Sequence, residues 1–121
     1  MACELKWDAF GVRCIYSDHC TYADVQGALI AIGTYVRESV MTYALHDFTH
    51  VTKFDDGVAV VITVGQTALS NAIESTLHTA ILASDEHFLS LLKTFAGQMK
   101  HDIVIFKKPE EARVWILNSL V

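Results

Sequence analysis

His46, Asp47 and His50 form the pattern H-D-x-x-H, the arrangement in this chain that comes nearest to a metal-binding or acid-base constellation. Two histidines four apart cooperate when a helix carries both to one face. Here the pattern straddles a predicted strand end and the turn after it, so the histidines read as ordinary loop residues and no metal is expected. The place still matters, because ligands of open α/β sheets gather beyond the carboxyl ends of strands. Cys14, His19 and Cys20 are the other residues that could supply a nucleophile and a base. Their spacing matches no metal pattern, and no positioned carboxylate or oxyanion-hole loop is legible near them. His78, His87 and His101 stand singly at the ends of elements, and the chain has no glycine-rich phosphate loop. The protein therefore reads as non-enzymatic and without a cofactor.

The pattern belongs to a longer stretch, His46 to Val64, in which a strand end, an acidic turn and a strongly apolar run follow one another without a break. If the chain has a working surface, this segment is where it is expected. Asp55 and Asp56 can cap the element that begins at Gly57, since carboxylates favour the positive end of a helix dipole.

The 121 residues fit one domain, 1–121, with a core of its own. A composition of 52% hydrophobic and 19% charged residues, with six glycines and one proline, is that of a packed chain with little linker. A net charge of -5 without a lysine or arginine cluster lacks the footprint that a phosphate backbone requires, so nucleic acid is excluded as a partner. Met1 to Trp7 contains no apolar run of signal-peptide length, which predicts a cytoplasmic protein. The longest apolar window, Val58 to Val64, falls short of the roughly 20 residues a spanning helix needs. Any membrane contact is therefore expected to be peripheral, at the inner face. Cys3, Cys14 and Cys20 include no C-x-x-C pair and read as structural thiols of a reducing compartment.

These residues must be positioned by an alternating α/β arrangement. Glu4–Trp7 and Val12–Ser17 read as a hairpin around Asp8–Gly11, where glycine would supply a positive backbone angle. Thr21 and Asp24 make a capping box, followed by the helical stripe Val25, Ala28, Leu29, Ile32 and Val36. Met41–Phe48 reads as a strand covered on both sides. His78–Ala83 is a further strand, after which Ser84 is expected to cap a helix with the stripe Phe88, Leu91, Leu92, Phe95 and Met99. Ile103–Phe106 is a short β-branched strand, and Pro109 opens a last helix with the stripe Ala112, Trp115, Ile116 and Leu120. The segment between Asp55 and Asn71 is ambiguous. Val58, Val60, Ile62 and Val64 alternate as in a strand, whereas Val58, Val61, Ile62, Gly65, Leu69 and Ala72 follow helical spacing. Its length, with no turn signal before Ser70 and Asn71, favours a helix.

In this arrangement the chain resembles the STAS superfamily, the sulfate-transporter and anti-sigma-factor-antagonist domains, and especially its stand-alone SpoIIAA-like branch. Trp7, Phe10, Gly11 and Val12 are similar to that branch's opening turn. Asp47, Phe48, Val51, Thr52, Phe54 and Asp55 resemble its aspartate-leucine-serine, valine-threonine, aspartate segment, and Glu110–Trp115 its closing helix. The resemblance implies a mixed, mostly parallel five-stranded sheet with four helices, in the order β-β-α-β-α-β-α-β-α, and supports a helix over Gly57–Ser70. Classical members switch partners by phosphorylating a serine in an aspartate-serine-serine-glycine turn. The matching turn here is Asp55, Asp56, Gly57 and Val58, so the acceptor position has no hydroxyl.

The expected function is a regulatory interaction module that binds a protein partner or a second copy through the loop after the third strand and the helix from Gly57. Asp47, Thr49, Asp55, Asp56, Gly57, Val60 and Val64 would carry that surface. Val60 and Val64 project away from the face that Val58, Val61 and Ile62 turn to the sheet, and exposed apolar patches mark contact sites. The alternative is a carrier or sensor of an apolar, lipid-like molecule at a membrane surface, with Phe88, Leu92, Phe95 and Met99 lining the site.

Overall fold

Alternation of side chains produces the opening hairpin. In Cys3–Trp7 (β1) Cys3 and Leu5 are half-buried, while Glu4 and Lys6 are exposed, as in a strand with one face on a core. Asp8 ends the strand. Its Oδ1 accepts from the amides of Phe10 at 2.7 Å and Gly11 at 2.9 Å, and its own amide donates to the Gly11 carbonyl at 3.0 Å. Gly11 starts the second strand, Gly11–Cys20 (β2), for a reason different from the one expected. No described glycine has a positive φ, but a Cβ on Gly11 would lie 2.4 Å from the Tyr43 carbonyl oxygen and 2.5 Å from its Cδ1. Close approach of two strands, rather than a left-handed turn, requires glycine here.

The computed structural model describes residues 3–8, 10–38, 42–54, 78–96 and 103–119. Thr21 and Asp24 form the expected capping box at the start of Tyr22–Glu38 (α1). The Thr21 amide donates to Asp24 Oδ2 at 2.9 Å and the Asp24 amide to Thr21 Oγ1 at 3.3 Å. Val25, Ala28, Leu29 and Ile32 are buried on its inner face. Tyr43–Phe54 (β3) lies parallel to β2, His78–Leu82 (β4) parallel to β3, and Ile103–Phe106 (β5) parallel to β4. The sheet order is β1-β2-β3-β4-β5, with β1 and β2 the antiparallel pair. This is the mixed, mostly parallel sheet expected from the alternating pattern.

Glu86–Ala96 (α2) connects β4 to β5, and Pro109–Ser119 (α3) follows β5. Right-handed crossovers advancing in one direction place their helices on one face of the sheet. Accordingly α1 and α2 share a core with Val12, Cys14, Tyr16, Ala44, Phe48 and Ile81. The opposite face packs Tyr43, Leu45, Ala80 and Leu82 against Ala112, Trp115 and Ile116 of α3. Alternation along β3 thus divides Ala44, His46 and Phe48 from Tyr43 and Leu45.

Two expectations are corrected. β3 does not end at Phe48: the polar T-H-V-T-K-F stretch is strand, paired with β2 from Ser17↔His50 to Cys20↔Phe54. The α2 cap is Asp85, not Ser84, because Asp85 Oδ1 accepts from the Phe88 amide at 2.8 Å. Three helices lie among the described residues, and the fourth expected helix, over Gly57–Ser70, lies outside them. Among the described residues no helix is long and apolar enough to cross a membrane.

Candidate functional site

The H-D-x-x-H residues share one strand but not one environment. His46 is buried beneath the α1 and α2 side, whereas His50 is exposed. The His46 Nδ1 lies 3.0 Å from the Tyr16 hydroxyl, and the Tyr16 ring stacks on Phe48 with centroids 4.4 Å apart. Burial pushes the imidazole down to about 4, so the ring is neutral near pH 7. The Tyr16 hydroxyl and the neutral imidazole share one hydrogen bond inside the core. Burial, with the neighbouring cysteines, also raises Tyr16 well above the usual phenol range. The pair is a satisfied polar element of the core. Its histidine is sealed from solvent and cannot act with His50.

The three cysteines surround the same tyrosine. Cys3 sits opposite Tyr16 in the β1–β2 register, and Cys14 and Cys20 are buried along β2. Burial, together with the Asp24 charge, raises Cys3 to about 11 and Cys20 to about 12, against a hydrogen bond from Tyr16 that lowers Cys3. Burial raises Cys14 further. These are protonated structural thiols, without the stabilised thiolate that nucleophilic catalysis uses. Among the described residues no group of three histidine, cysteine, aspartate or glutamate side chains is placed to hold a metal.

The other face of β3 carries more accessible polar groups. Asp47 is half-buried, and its Oδ1 accepts from the Thr49 amide at 2.9 Å and the Thr49 hydroxyl at 2.6 Å. Asp47 lines a cavity of about 280 Å³ with Asp8, Arg13, Tyr43, Leu45 and Leu82, closed by Pro109, Ala112, Arg113, Ile116 and Leu117 of α3. The Tyr43 hydroxyl donates to Asp8 Oδ2, tying the hairpin turn to the floor of this cavity. Desolvation alone would raise the Asp8 carboxyl. The hydrogen bonds from Tyr43, Phe10 and Gly11, with the Arg13 charge, override it and hold Asp8 below the usual carboxylate range. Burial and the Asp8 contact push Tyr43 up. Both groups move away from neutrality, which suits recognition by charge and hydrogen bonding better than proton transfer.

Of the residues expected to form the surface, Asp47 and Thr49 are joined directly. Asp55, Asp56, Gly57, Val60 and Val64 lie outside the described residues. Phe88 and Leu92, expected to line an apolar ligand site, are core residues of α2. Phe88 stacks on Phe54 with centroids 4.1 Å apart and meets Phe48 at 5.0 Å. Phe95 belongs to α2. Arg13, Arg113 and Asp8 were not legible as site residues. An isolated arginine in an alternating strand or on an exposed helix face carries no local signal, and only the sheet brings the three to one cavity.

No protein-family model matches the chain, and no curated protein is similar to it in sequence. Solved structures are similar in fold over nearly its whole length. The anti-sigma factor antagonist SpoIIAA in its unphosphorylated form superposes with a TM-score of 0.68 at 14% identity, covering 97% of this chain and 98% of that one. The chain has the SpoIIAA-like (STAS) fold. The Bacillus cell fate determinant SpoIIAA in its phosphorylated form gives 0.64 at 14% identity, over 95% of this chain and 99% of that one. An uncharacterised protein of the DUF3478 family from Shewanella loihica PV-4, also of SpoIIAA-like fold, gives 0.56 at 13% identity, over 94% of this chain and 91% of that one. In the SpoIIAA-like frame of this chain, the β1–β2 hairpin and the three parallel pairings that follow position Asp47 and Thr49.

Proposed function

We propose that the protein is a non-catalytic interaction module of SpoIIAA-like fold that docks a protein partner on the carboxyl-terminal part of β3. The observation that carries this reading is the continuation of β3 through Phe54, although its last β4 partner is Asp47. Beyond that point the strand pairs with β2 alone among the described residues, and the side chains of His50, Thr52 and Lys53 are exposed. The Asp47–Thr49 bonds hold the start of this ribbon in one conformation, which reduces the ordering cost of binding. The downward shift of His46 and the raised thiols agree with a domain whose reactive side chains are packed rather than poised. The resemblance to SpoIIAA-like domains sets the phosphoacceptor position on Gly57, which has no hydroxyl, and the docking proposed here uses no phosphoserine at that position.

The test is quantitative crosslink capture from the source cells with the wild-type chain and with the His50→Glu, Lys53→Glu double variant. Both residues are exposed, so the variant should melt like the wild type. A partner enriched by the wild type and lost from the variant supports the reading. Equal capture by both, or capture by neither, removes it.

A further inference from the structure

Independently of the β3 surface, the structure points to self-assembly at the opposite margin of the sheet. We propose that the outer edge of β1 pairs two copies of this chain antiparallel about Leu5, joining their sheets into one. β1 is a terminal strand of the five-stranded sheet. The bond from the Asp8 amide to the Gly11 carbonyl fixes the alternation of the hairpin. Continued through the β1–β2 register, it makes Lys6–Arg13 and Glu4–Ile15 the hydrogen-bonded pairs. Cys3, Leu5 and Trp7 therefore turn their amide and carbonyl groups outward, to the edge that no other described strand pairs.

A two-fold axis at Leu5 brings the two outer edges into register. Leu5 exchanges both bonds with the partner's Leu5, and Cys3 and Trp7 stand opposite the partner's Trp7 and Cys3. In the same register Glu4 stands opposite the partner's Lys6, and Lys6 opposite the partner's Glu4. These fall in the non-hydrogen-bonded positions, where side chains approach most closely. Placing the axis at Glu4 or at Lys6 would instead set like charges against each other. Both side chains are exposed, and neither forms an ion pair among the described residues. A lysine alone would blunt a sheet edge. A glutamate two residues away makes the edge complementary to itself.

The groove beside this edge has the shape to receive the second copy. It measures about 740 Å³, runs between β1 and α1, and is lined by Cys3, Glu4, Leu5, Asp24, Gly27 and Ala28. A Cβ on Gly27 would meet nothing within 4 Å, so the helix side of the groove is open. The partner's Trp7 lies opposite Cys3, on the face of the sheet that borders this groove.

Sedimentation equilibrium of the full chain, over a micromolar to millimolar series, tests the pairing. The wild type should reach the mass of two 13.4 kDa chains. Glu4→Lys and Lys6→Glu should each weaken association by about tenfold or more, because each sets like charges opposite one another twice. The double charge swap should restore it. A wild type that stays monomeric overturns the proposal, as expected if the edge serves only foreign strands. A dimer indifferent to both single changes, or a double swap that stays dissociated, overturns it as well. Loss of β3 docking in the capture experiment would leave these outcomes unchanged.

Discussion

The Tyr16 hydroxyl lies 3.0 Å from Nδ1 of His46, and the stacked rings of Tyr16 and Phe48 hold that histidine against the α1 and α2 core. The relationship makes a titration visible in stability. Folding lowers His46 from an ordinary value of 6.5 to about 4, so below pH 6.5 the unfolded chain binds a proton that the native chain refuses. Stability is therefore full above the unfolded value and falls as the pH drops from 6.5 towards 4. The loss attributable to this one group is at most about 3 kcal/mol. Urea unfolding of wild type and His46→Gln across this range isolates it from the carboxylates, because glutamine keeps a polar partner for Tyr16 and does not titrate. Parallel stability curves for the two proteins would show that His46 is not neutral and buried.

Gly11 makes a separate prediction, because what its missing side chain would meet is backbone. A methyl group there would lie 2.4 Å from the Tyr43 carbonyl oxygen, and the Tyr43 ring at 2.5 Å is itself held by Asp8. Neither neighbour can turn aside without separating β2 from β3. Gly11→Ala should cost about 1–3 kcal/mol in urea unfolding. A gain in stability, the usual result when alanine replaces an unstrained glycine, would contradict this packing.

Local chemistry and periodicity made some of these elements readable and concealed others. The Thr21–Asp24 box and the stripe from Val25 to Ile32 are visible in sequence because every interaction spans only a few residues. The reach of β3 was hidden. T-H-V-T-K reads as a polar loop, and it becomes strand because β2 continues alongside it to Cys20. That continuation includes register shifts on either side of Ser17 and Asp18, and Asp18 adopts a φ of 57°. A bulge of this kind has no periodic signature. The partnership of Tyr16 with His46 spans thirty residues of chain, and the cavity between Arg13, Asp47 and Arg113 joins three elements. Nothing in the neighbourhood of any one of these residues announces the others. The SpoIIAA-like frame was legible because it rests on the order of elements, whereas the site depends on register.

Thiol chemistry offers a third measurement. With Cys3 raised to about 11 and Cys20 to about 12, almost no thiolate exists in the native chain at pH 8. Cys3 is half-buried and the other two cysteines are buried. A disulfide reagent should therefore label the native protein about a hundredfold more slowly than the urea-unfolded chain, since the thiolate is the attacking species. The first residue modified should be Cys3, at a rate that climbs about tenfold per pH unit. Rapid modification of one equivalent at neutral pH would mean that a cysteine is activated, and the packed-thiol reading of this hairpin would fail.

The contact between Phe54 and Phe88 decides whether α2 serves the core or a ligand. Phe88 is 1% exposed, parallel to Phe54 within 8°, and tilted against Phe48. Such a ring contributes by burial and by stacking, so Phe88→Ala should destabilise the protein by about 3–5 kcal/mol. Phe54→Ala should cost less, because that side chain is only half-buried. The double variant should cost less than the two single losses together by about 0.5–1.5 kcal/mol, since each alanine already removes the shared stack. A ligand-lining phenylalanine would behave differently: removing it would leave urea unfolding of the empty protein nearly unchanged, and the two substitutions would be independent. Large and coupled losses would assign the aromatic cluster to the core and leave recognition to other surfaces, among them the β3 ribbon and the β1 edge.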